Sequence, residues 1–261
     1  MSDSFRTDRR PDGVVRMTLN RPDVHNAFDD RLIAELTEGL VRIGEDESVR
    51  AVVLTGAGKS FSAGADLNWM RRMAGYSDEE NLADARGLAR LMQTLNELPK
   101  PTVARVNGAA LGGGTGLVAC CDIAIASDKA TFGTTEARLG IIPAVIGPYV
   151  VAAIGPRQAR RLMLTGERIS AIEAAHIGLV HEVVPAEGLD AAIDAVLENL
   201  LKCGPHAISA AKGLVRDLTG RPITAEIVDD TAQRIASLRA TAEAREGIAA
   251  FLEKRRPAWL A

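Results

Sequence analysis

Short apolar runs alternate with longer runs of helical period over the first 185 residues of this chain. Residues 14–20 alternate between apolar and polar positions and follow a Pro-Asp-Gly turn, which predicts a hairpin with residues 5–9. The run at 51–55 is apolar throughout, as is typical of a strand buried on both faces. Residues 29–43 and 78–98 carry apolar side chains at helical spacing. Strands that alternate with helices predict an α/β core.

The pattern changes near residue 188. From there to the end it is helical, with breaks only at Gly204-Pro205 and Gly220-Arg221-Pro222. We therefore predict two domains, an α/β core over residues 1–187 and an all-helical region over residues 188–261.

The stretch at residues 101–122, PTVARVNGAALGGGTGLVACCD, combines a β-branched run, a glycine-rich loop and the start of an apolar helix. Glycines at such a junction let the backbone approach a ligand closely, because no Cβ stands in the way. The first N–H groups of the helix have no intrahelical partner, and the positive end of the helix dipole lies behind them. The expected guest is an oxygen that carries or develops negative charge.

A second loop of small residues, Ala63-Gly64-Ala65-Asp66, also joins a strand to a helix, about 48 residues earlier. If both loops converge, one N–H from each forms a two-donor oxyanion hole. The enolate of a thioester suits such a hole, because its oxygen gains charge in the transition state. The alternative is tight packing of small residues between helix and sheet, and spacing alone leaves both open.

Glu136 lies between a short strand and the apolar loop at residues 140–148. Apolar surroundings raise the pKa of a carboxyl group towards neutrality, which suits a general acid or base. The alternatives are a solvated glutamate at a helix start and an ion pair with Arg138.

Composition and charge restrict the partners. A net charge of −3 and nine scattered aromatics (five Phe, two Tyr, two Trp) argue against nucleic acid. No apolar run reaches 18 residues and the first 20 lack an apolar core, so we expect no membrane span, no signal peptide and a cytoplasmic location. The four histidines are dispersed and the cysteines lack ligand spacing, so no metal site is expected.

A competing enzyme hypothesis comes from the same glycines. Residues 114–119 match G-x-G-x-x-A, and Glu136 lies where a dinucleotide fold places its ribose-binding acid. The match is weak, because extra glycines precede it and the acid does not end a second parallel strand. No G-x-S-x-G occurs to support a hydrolase.

Nearly the whole sequence resembles the enoyl-CoA hydratase/isomerase (crotonase) superfamily. The motifs that carry the resemblance are LNRPDVHNAF at 19–28, FSAGADLNWM at 61–70, VNGAALGGGTGL at 106–117, CDIAIAS at 121–127, FGTTEARLGIIP at 132–143 and REGIAAFLEKRRP at 245–257. The resemblance implies a spiral of ββα units and a C-terminal α-helical trimerisation region, assembled as a homotrimer or a dimer of trimers.

The resemblance also implies site residues. It places the oxyanion-hole N–H groups on Ala65 and Gly113, and an acid/base role on Glu136. The residues implied to contact coenzyme A or the acyl group are Ala63, Ala65, Asp66, Leu67, Asn68, Gly113 and, from a neighbouring subunit, Lys254. Coenzyme A is part of the substrate, and no cofactor or metal is implied.

One departure from the family pattern bears on the reaction. Two-glutamate hydratases carry a GGGxE motif, but this chain has Gly116 at its glutamate position. The motifs are most similar to 3-methylglutaconyl-CoA hydratases of leucine catabolism and isohexenylglutaconyl-CoA hydratases. Their substrates carry a second carboxylate, which we expect Arg138, Arg71 or Arg72 to bind. The alternatives are a single-glutamate double-bond isomerase and a non-catalytic subunit that binds coenzyme A.

Overall fold

The computed structural model describes residues 4–260, which contain two β-sheets. In chain order the strands are β1 (Phe5–Arg9), β2 (Val14–Leu19), β3 (Ala51–Gly56), β4 (Ser60–Ser62), β5 (Thr102–Val106), β6 (Ala109–Leu111), β7 (Ile123–Ser127), β8 (Thr131–Gly133), β9 (Ile169–Ser170) and β10 (Glu182–Val184). The larger sheet has the order β1-β2-β3-β5-β7-β10, and the smaller has the order β4-β6-β8-β9.

The helices surround these sheets. In chain order they are α1 (Asp30–Glu45), α2 (Leu67–Met73), α3 (Asp78–Asn96), α4 (Gly113–Cys120), α5 (Gly147–Thr165), α6 (Ala171–His176), α7 (Leu189–Lys202), α8 (Pro205–Leu218), α9 (Ala225–Arg239) and α10 (Ala242–Leu252). Short 3-10 turns cover Pro22–Val24, Glu136–Leu139, Ala186–Gly188 and Ala258–Leu260. Helix α5 is interrupted at Gly155, whose φ is 71°, just before Pro156.

A unit of two strands and a helix repeats along the chain. Strands β3, β5 and β7 lie side by side and parallel in the larger sheet. Each is followed by a short strand of the smaller sheet, β4, β6 or β8, and these also pair in parallel. Helices then return the chain to the larger sheet, as parallel pairing requires. Each unit is displaced by one strand from the last, so the chain advances as a spiral.

Apolar burial holds the layers together. Helix α1 is capped by the Asp29 side chain, which accepts a hydrogen bond from the Leu32 N–H, and its apolar face is buried as its period predicts. Every residue of β3 is buried, because helices or strands cover both faces of the larger sheet. One face of the larger sheet packs against α7 through Leu189, Ile193 and Leu197.

The predicted N-terminal hairpin is confirmed, with Phe5 opposite Leu19 and Arg9 opposite Val15. The last strand, β10, begins only at Glu182, although the chain runs beside the larger sheet from His181, whose N–H donates to the Ala124 carbonyl. Leu179 and Val180 are buried in the preceding turn, where both N–H groups bond the Ala174 carbonyl instead of a neighbouring strand.

Helices α8, α9 and α10 bury little of their own apolar surface. Helix α8 has no buried residue, while α9 buries Ile227 and α10 buries Ala250. Large apolar side chains of this region that remain exposed are Val215, Ile223, Val228, Ile235, Ile248, Phe251 and Leu252. Within residues 4–260 no helix is both long enough and apolar enough to cross a membrane.

Candidate active site

The two glycine-containing loops predicted to converge do meet. A Cβ placed on Gly112 would lie 3.9 Å from Gly64 Cα, and one placed on Gly64 would lie 3.0 Å from the Leu111 carbonyl oxygen. Both glycines have positive φ, +53° at Gly112 and +91° at Gly64, a region that L side chains rarely adopt. The close approach of the two backbones therefore depends on glycine at both positions.

Two N–H groups at this junction are open. Ala65 is exposed and Gly113 is half-buried, although Gly64, Gly112 and Gly114 beside them are buried. Within residues 4–260 neither the Ala65 nor the Gly113 N–H donates a hydrogen bond. Gly113 is the first residue of α4, so the positive end of that helix dipole adds to its N–H. The arrangement can stabilise a developing negative charge.

Phe28 contacts both loops. Its N–H donates to the Gly64 carbonyl at 2.6 Å, and its carbonyl accepts from the Asp66 N–H at 2.7 Å. These two bonds flank Ala65 and leave its N–H free of the pairing. A Cβ on Gly113 would lie 2.5 Å from the Phe28 ring, which shows how closely the ring packs against the other loop. Phe28 therefore helps to position both candidate donors, Ala65 through its backbone and Gly113 through its ring.

The carboxyl of Glu136 lies beside this junction. A Cβ on Gly112 would be 3.1 Å from Glu136 Oε1. Oε2 is buried and has no hydrogen-bond partner among the residues that the structure describes. Burial raises the pKa of Glu136, opposed only in part by its own backbone N–H. An ion pair with Arg138, one of the alternatives, is not formed between these described side chains.

Thr115 fixes the strand that leads to Glu136. Its buried hydroxyl donates to the Ala110 carbonyl at 2.7 Å and lies 3.1 Å from the Gly133 carbonyl oxygen. The Gly112 N–H also donates to the Gly133 carbonyl, at 2.8 Å. The start of α4, which carries the candidate donor at Gly113, is therefore bonded to the end of β8, three residues before Glu136.

The place of the family's first glutamate is filled by an apolar side chain. A Cβ on Gly116 would lie 2.3 Å from Ile146 Cγ2 and 3.3 Å from Met92 Cε. A Cβ is essentially never found 2.3 Å from another heavy atom, so no side chain fits at position 116 without movement of Ile146. The site therefore presents Glu136 without the second carboxylate of the two-glutamate pattern.

The loop implied to contact coenzyme A has an exposed side. Ala65, Leu67 and Asn68 are exposed and Ala63 is half-buried. Asp66 is buried and caps α2 by accepting hydrogen bonds from the N–H groups of Asn68 and Trp69. Burial opposes its charge, but these bonds and the neighbouring Arg21 outweigh burial and lower the pKa of Asp66.

The remaining predicted residues lie farther along the chain or face other partners. Lys254 is exposed beyond the end of α10, in the C-terminal region. Arg71 donates to Asn68 Oδ1 at 2.8 Å, and Arg72 forms an ion pair with Asp30. Arg138 is exposed, lies against Gly166, and has no ion pair within the described residues. No metal-holding group of His, Cys, Asp and Glu occurs within residues 4–260.

Sequence reasoning missed Phe28 and Ile146. Phe28 is a single apolar residue two positions before α1, and its role becomes visible only from its two backbone bonds and the packing of its ring against Gly113. Ile146 lies in the apolar loop at residues 140–148, but its contact with Gly116, 30 residues away, has no sequence signal. The one signal in the sequence is Gly116 itself, since the lack of a glutamate there indicates that another side chain fills the space.

Comparison with known proteins agrees with this fold. The family model for enoyl-CoA hydratase/isomerase matches residues 9–261. A crystal structure of an enoyl-CoA hydratase from Shewanella pealeana is 44% identical, covering 98% of this chain and 96% of that one, with a TM-score of 0.95.

Curated relatives give the same result. An enoyl-CoA hydratase by name from Thermus thermophilus is 37% identical over 94% of this chain and 96% of its own length. The 2,3-dehydroadipyl-CoA hydratase of Escherichia coli is 36% identical, covering 95% of each chain. The chain therefore belongs to the enoyl-CoA hydratase/isomerase family, with the crotonase fold, and is an enzyme of the enoyl-CoA hydratase type.

Proposed function

We propose that this enzyme adds water reversibly to an α,β-unsaturated acyl-CoA, with Glu136 as the acid/base and the N–H groups of Ala65 and Gly113 as the oxyanion hole. The observation that carries the proposal is the position of the Glu136 carboxyl, whose Oε1 lies 3.1 Å from where a Cβ on Gly112 would be, directly before the residue that carries the open Gly113 N–H. Burial raises the pKa of this carboxyl, so it keeps a proton to higher pH than a solvated glutamate does, as suits a general acid or base.

In the proposed reaction Glu136 takes a proton from water as the hydroxyl oxygen bonds to C3 of the acyl chain. The electrons of the double bond move towards the thioester, whose oxygen becomes an enolate held by the two N–H groups. The same carboxyl then returns a proton to C2, and the enolate electrons form the new C–H bond. One carboxyl suffices because it is restored after each turnover, and the implied reaction needs no cofactor besides the coenzyme A of the substrate.

For the acyl chain we propose a branched or dicarboxylic group, with 3-methylglutaconyl-CoA as the first candidate and leucine catabolism as the setting. Arg138 follows Glu136 by two residues, and within the described chain its guanidinium has no ion pair. An arginine can bind a carboxylate through two parallel hydrogen bonds. The name of the 2,3-dehydroadipyl-CoA relative is compatible with this substrate class.

Paired substrates test the proposal. The enoyl absorbance is followed after the enzyme is mixed with 3-methylglutaconyl-CoA or with crotonyl-CoA, which lacks the second carboxylate. We expect faster loss of absorbance with the dicarboxylic thioester. We also expect Arg138→Met to raise KM for that substrate by about tenfold or more, as a charge-assisted pair of hydrogen bonds is lost.

The control is Arg157→Met, which removes an exposed arginine from α5. We expect Arg157→Met to leave KM unchanged for both substrates. Equal changes in KM for both substrates with Arg138→Met would contradict the role of this arginine. No loss of absorbance with either substrate, despite binding, would contradict hydration itself.

The second candidate function is a double-bond isomerase. It is favoured by the contact between Gly116 and Ile146, which leaves one carboxyl to carry a proton between two carbons. Conversion of a 3-enoyl-CoA to a 2-enoyl-CoA, without formation of the hydroxyacyl product, distinguishes isomerisation from hydration.

We propose that the enzyme assembles in the cytoplasm as a homotrimer or a dimer of trimers through α8 to α10, whose exposed apolar side chains include Phe251, 82% exposed. In such an assembly Lys254 would contact the coenzyme A phosphates of a neighbouring subunit. Sedimentation equilibrium tests the assembly, since Phe251→Glu is expected to shift the mass towards the monomer.

A further inference from the structure

Arg21 links three separate groups near the candidate oxyanion hole. Its Nη1 donates to the Ala27 carbonyl at 2.6 Å, and its Nη2 lies 3.0 Å from Asp29 Oδ2 and 3.0 Å from Asp66 Oδ2. The Arg21 side chain is 21% exposed and that of Asp66 is 6% exposed. An ion pair in such a position is little screened by solvent, so it constrains its partners more than a surface pair does.

The partners of Arg21 are the residues that set the loop carrying Ala65. Asp66 follows Ala65 directly, and its other oxygen caps α2. Asp29 caps α1, and Ala27 precedes Phe28, whose two backbone bonds flank Ala65. The guanidinium therefore joins the start of α1 to the start of α2, with the candidate donor between them.

The segment of residues 21–29 is held against the same loop by further contacts. The Ala63 N–H donates to the His25 carbonyl at 2.9 Å, and the Ser62 hydroxyl donates to the Asn26 carbonyl at 2.9 Å. Movement of this segment would therefore move the Ala65 loop with it. Through the Phe28 ring it would also disturb the contact at Gly113.

We propose that Arg21 is a positioning residue of the oxyanion hole, which holds the Ala65 N–H in place by bridging Ala27, Asp29 and Asp66. It acts through these groups and does not touch the reacting atoms. The proposal rests on the function proposed above for Ala65 and Gly113. A misplacement of about 1 Å in a catalytic group can lower the rate by about 100-fold.

The test compares Arg21→Met, Arg21→Lys, Asp66→Asn and the combination of Arg21→Met with Asp66→Asn. We expect Arg21→Met to lower kcat by about 10- to 100-fold with a much smaller change in KM. Arg21→Lys recovers part of the loss, because one ammonium can reach the carboxylates but not the Ala27 carbonyl as well. The combined variant is no slower than the slower of its two single variants, as expected if Arg21 acts through Asp66.

A second readout does not depend on turnover. A 4-dimethylaminocinnamoyl-CoA thioester absorbs at longer wavelength when hydrogen bonds polarise its carbonyl group. We expect a red shift on binding to the wild-type enzyme, a smaller shift with Arg21→Met, and an intermediate shift with Arg21→Lys. Circular dichroism melting identifies any variant that has simply failed to fold.

The matched control is Arg161→Met. Arg161 also bridges two carboxylates, those of Glu167 and Glu173, at 2.8 Å each, but on α5. We expect Arg161→Met to leave kcat and the red shift unchanged. A full red shift with folded Arg21→Met would overturn the positioning role, as would a loss confined to KM. Absence of any red shift in the wild-type enzyme would instead overturn the proposed oxyanion hole.

Discussion

The candidate N–H donors of Ala65 and Gly113 lie in loops held by hydrogen bonds and ion pairs, whereas the Glu136 carboxyl has few hydrogen-bond partners. On the donor side, defined by residues 63–66 and 112–113, Phe28 and Asp66 hold the chain through backbone and ionic contacts. On the carboxylate side, defined by Glu136, Gly116 and Ile146, the Ile146 side chain packs against Gly116, and Glu136 Oε2 has no partner within the described residues.

The difference follows from what each side is proposed to do. A donor stabilises a transient charge well only if its position is set before the charge appears, because no reorganisation is then needed. An acid/base that exchanges protons near neutral pH needs the opposite, since a strong hydrogen-bond donor would hold its carboxylate ionised. Polar restraint on one side and apolar burial on the other are therefore complementary.

The largest expected effect removes the acid/base from the carboxylate side. We expect Glu136→Gln to lower kcat by about 100- to 10,000-fold, in the range of acid/base catalysis, while acyl-CoA still binds. Steady-state kinetics and calorimetric titration measure the two quantities. The control is Glu187→Gln, which changes a glutamate in the 3-10 turn Ala186–Gly188. Retained turnover in Glu136→Gln would show that another group moves the proton.

The next effect disturbs the donor side. We expect Gly113→Ala to lower kcat by up to about 100-fold, because the new Cβ meets the Phe28 ring at 2.5 Å and displaces one N–H donor. The control is Gly213→Ala in α8, where a Cβ meets nothing within 4 Å. Wild-type kcat in Gly113→Ala would mean that this N–H does not hold the oxyanion.

A smaller effect probes the packing above position 116. We expect Gly116→Ala to lower the free energy of unfolding by about 1–3 kcal/mol, the usual result of overpacking a core. In an Ile146→Ala background the same Gly116→Ala substitution is expected to lower the free energy of unfolding by less, because the clash with Ile146 is removed. Urea unfolding of the four members of this cycle measures the coupling. Simple additivity would contradict the contact.

The smallest effect is a pH dependence of stability. Burial raises the pKa of folded Glu136 above its ordinary value of 4.5, so the unfolded chain releases this proton first as pH rises. The carboxyl therefore destabilises the folded state at neutral pH and has no effect once both states are protonated. Relative to wild type, Glu136→Gln is expected to melt higher at neutral pH, and the difference to vanish below pH 4.5. A constant difference would contradict the raised pKa.

Much of this architecture could be predicted from the sequence where a pattern repeats along the chain. The hairpin β1–β2, the buried strand β3 and the helices α1 and α3 follow directly from apolar periodicity. Two strands of the smaller sheet, β4 and β6, could not be predicted from periodicity, because they have three residues each. Such strands are too short to show alternation, and only pairing with each other defines them.

The candidate site divides in the same way. Glycines at 64 and 112, and a carboxyl beside an apolar loop at Glu136, are visible as residue types in suggestive places. Their neighbours are not, since Arg21 meets Asp66 across 45 residues of chain. Contacts of this kind depend on how the units stack in space, which no local pattern encodes.

The contact between Ile146 and Gly116 also constrains how this sequence can change over evolutionary time. A glutamate introduced at 116 would meet Ile146 at its Cβ, so it fits best together with a smaller side chain at 146. The residues at these two positions are therefore coupled, and a change towards the two-glutamate pattern at 116 is expected to be accompanied by a change at 146.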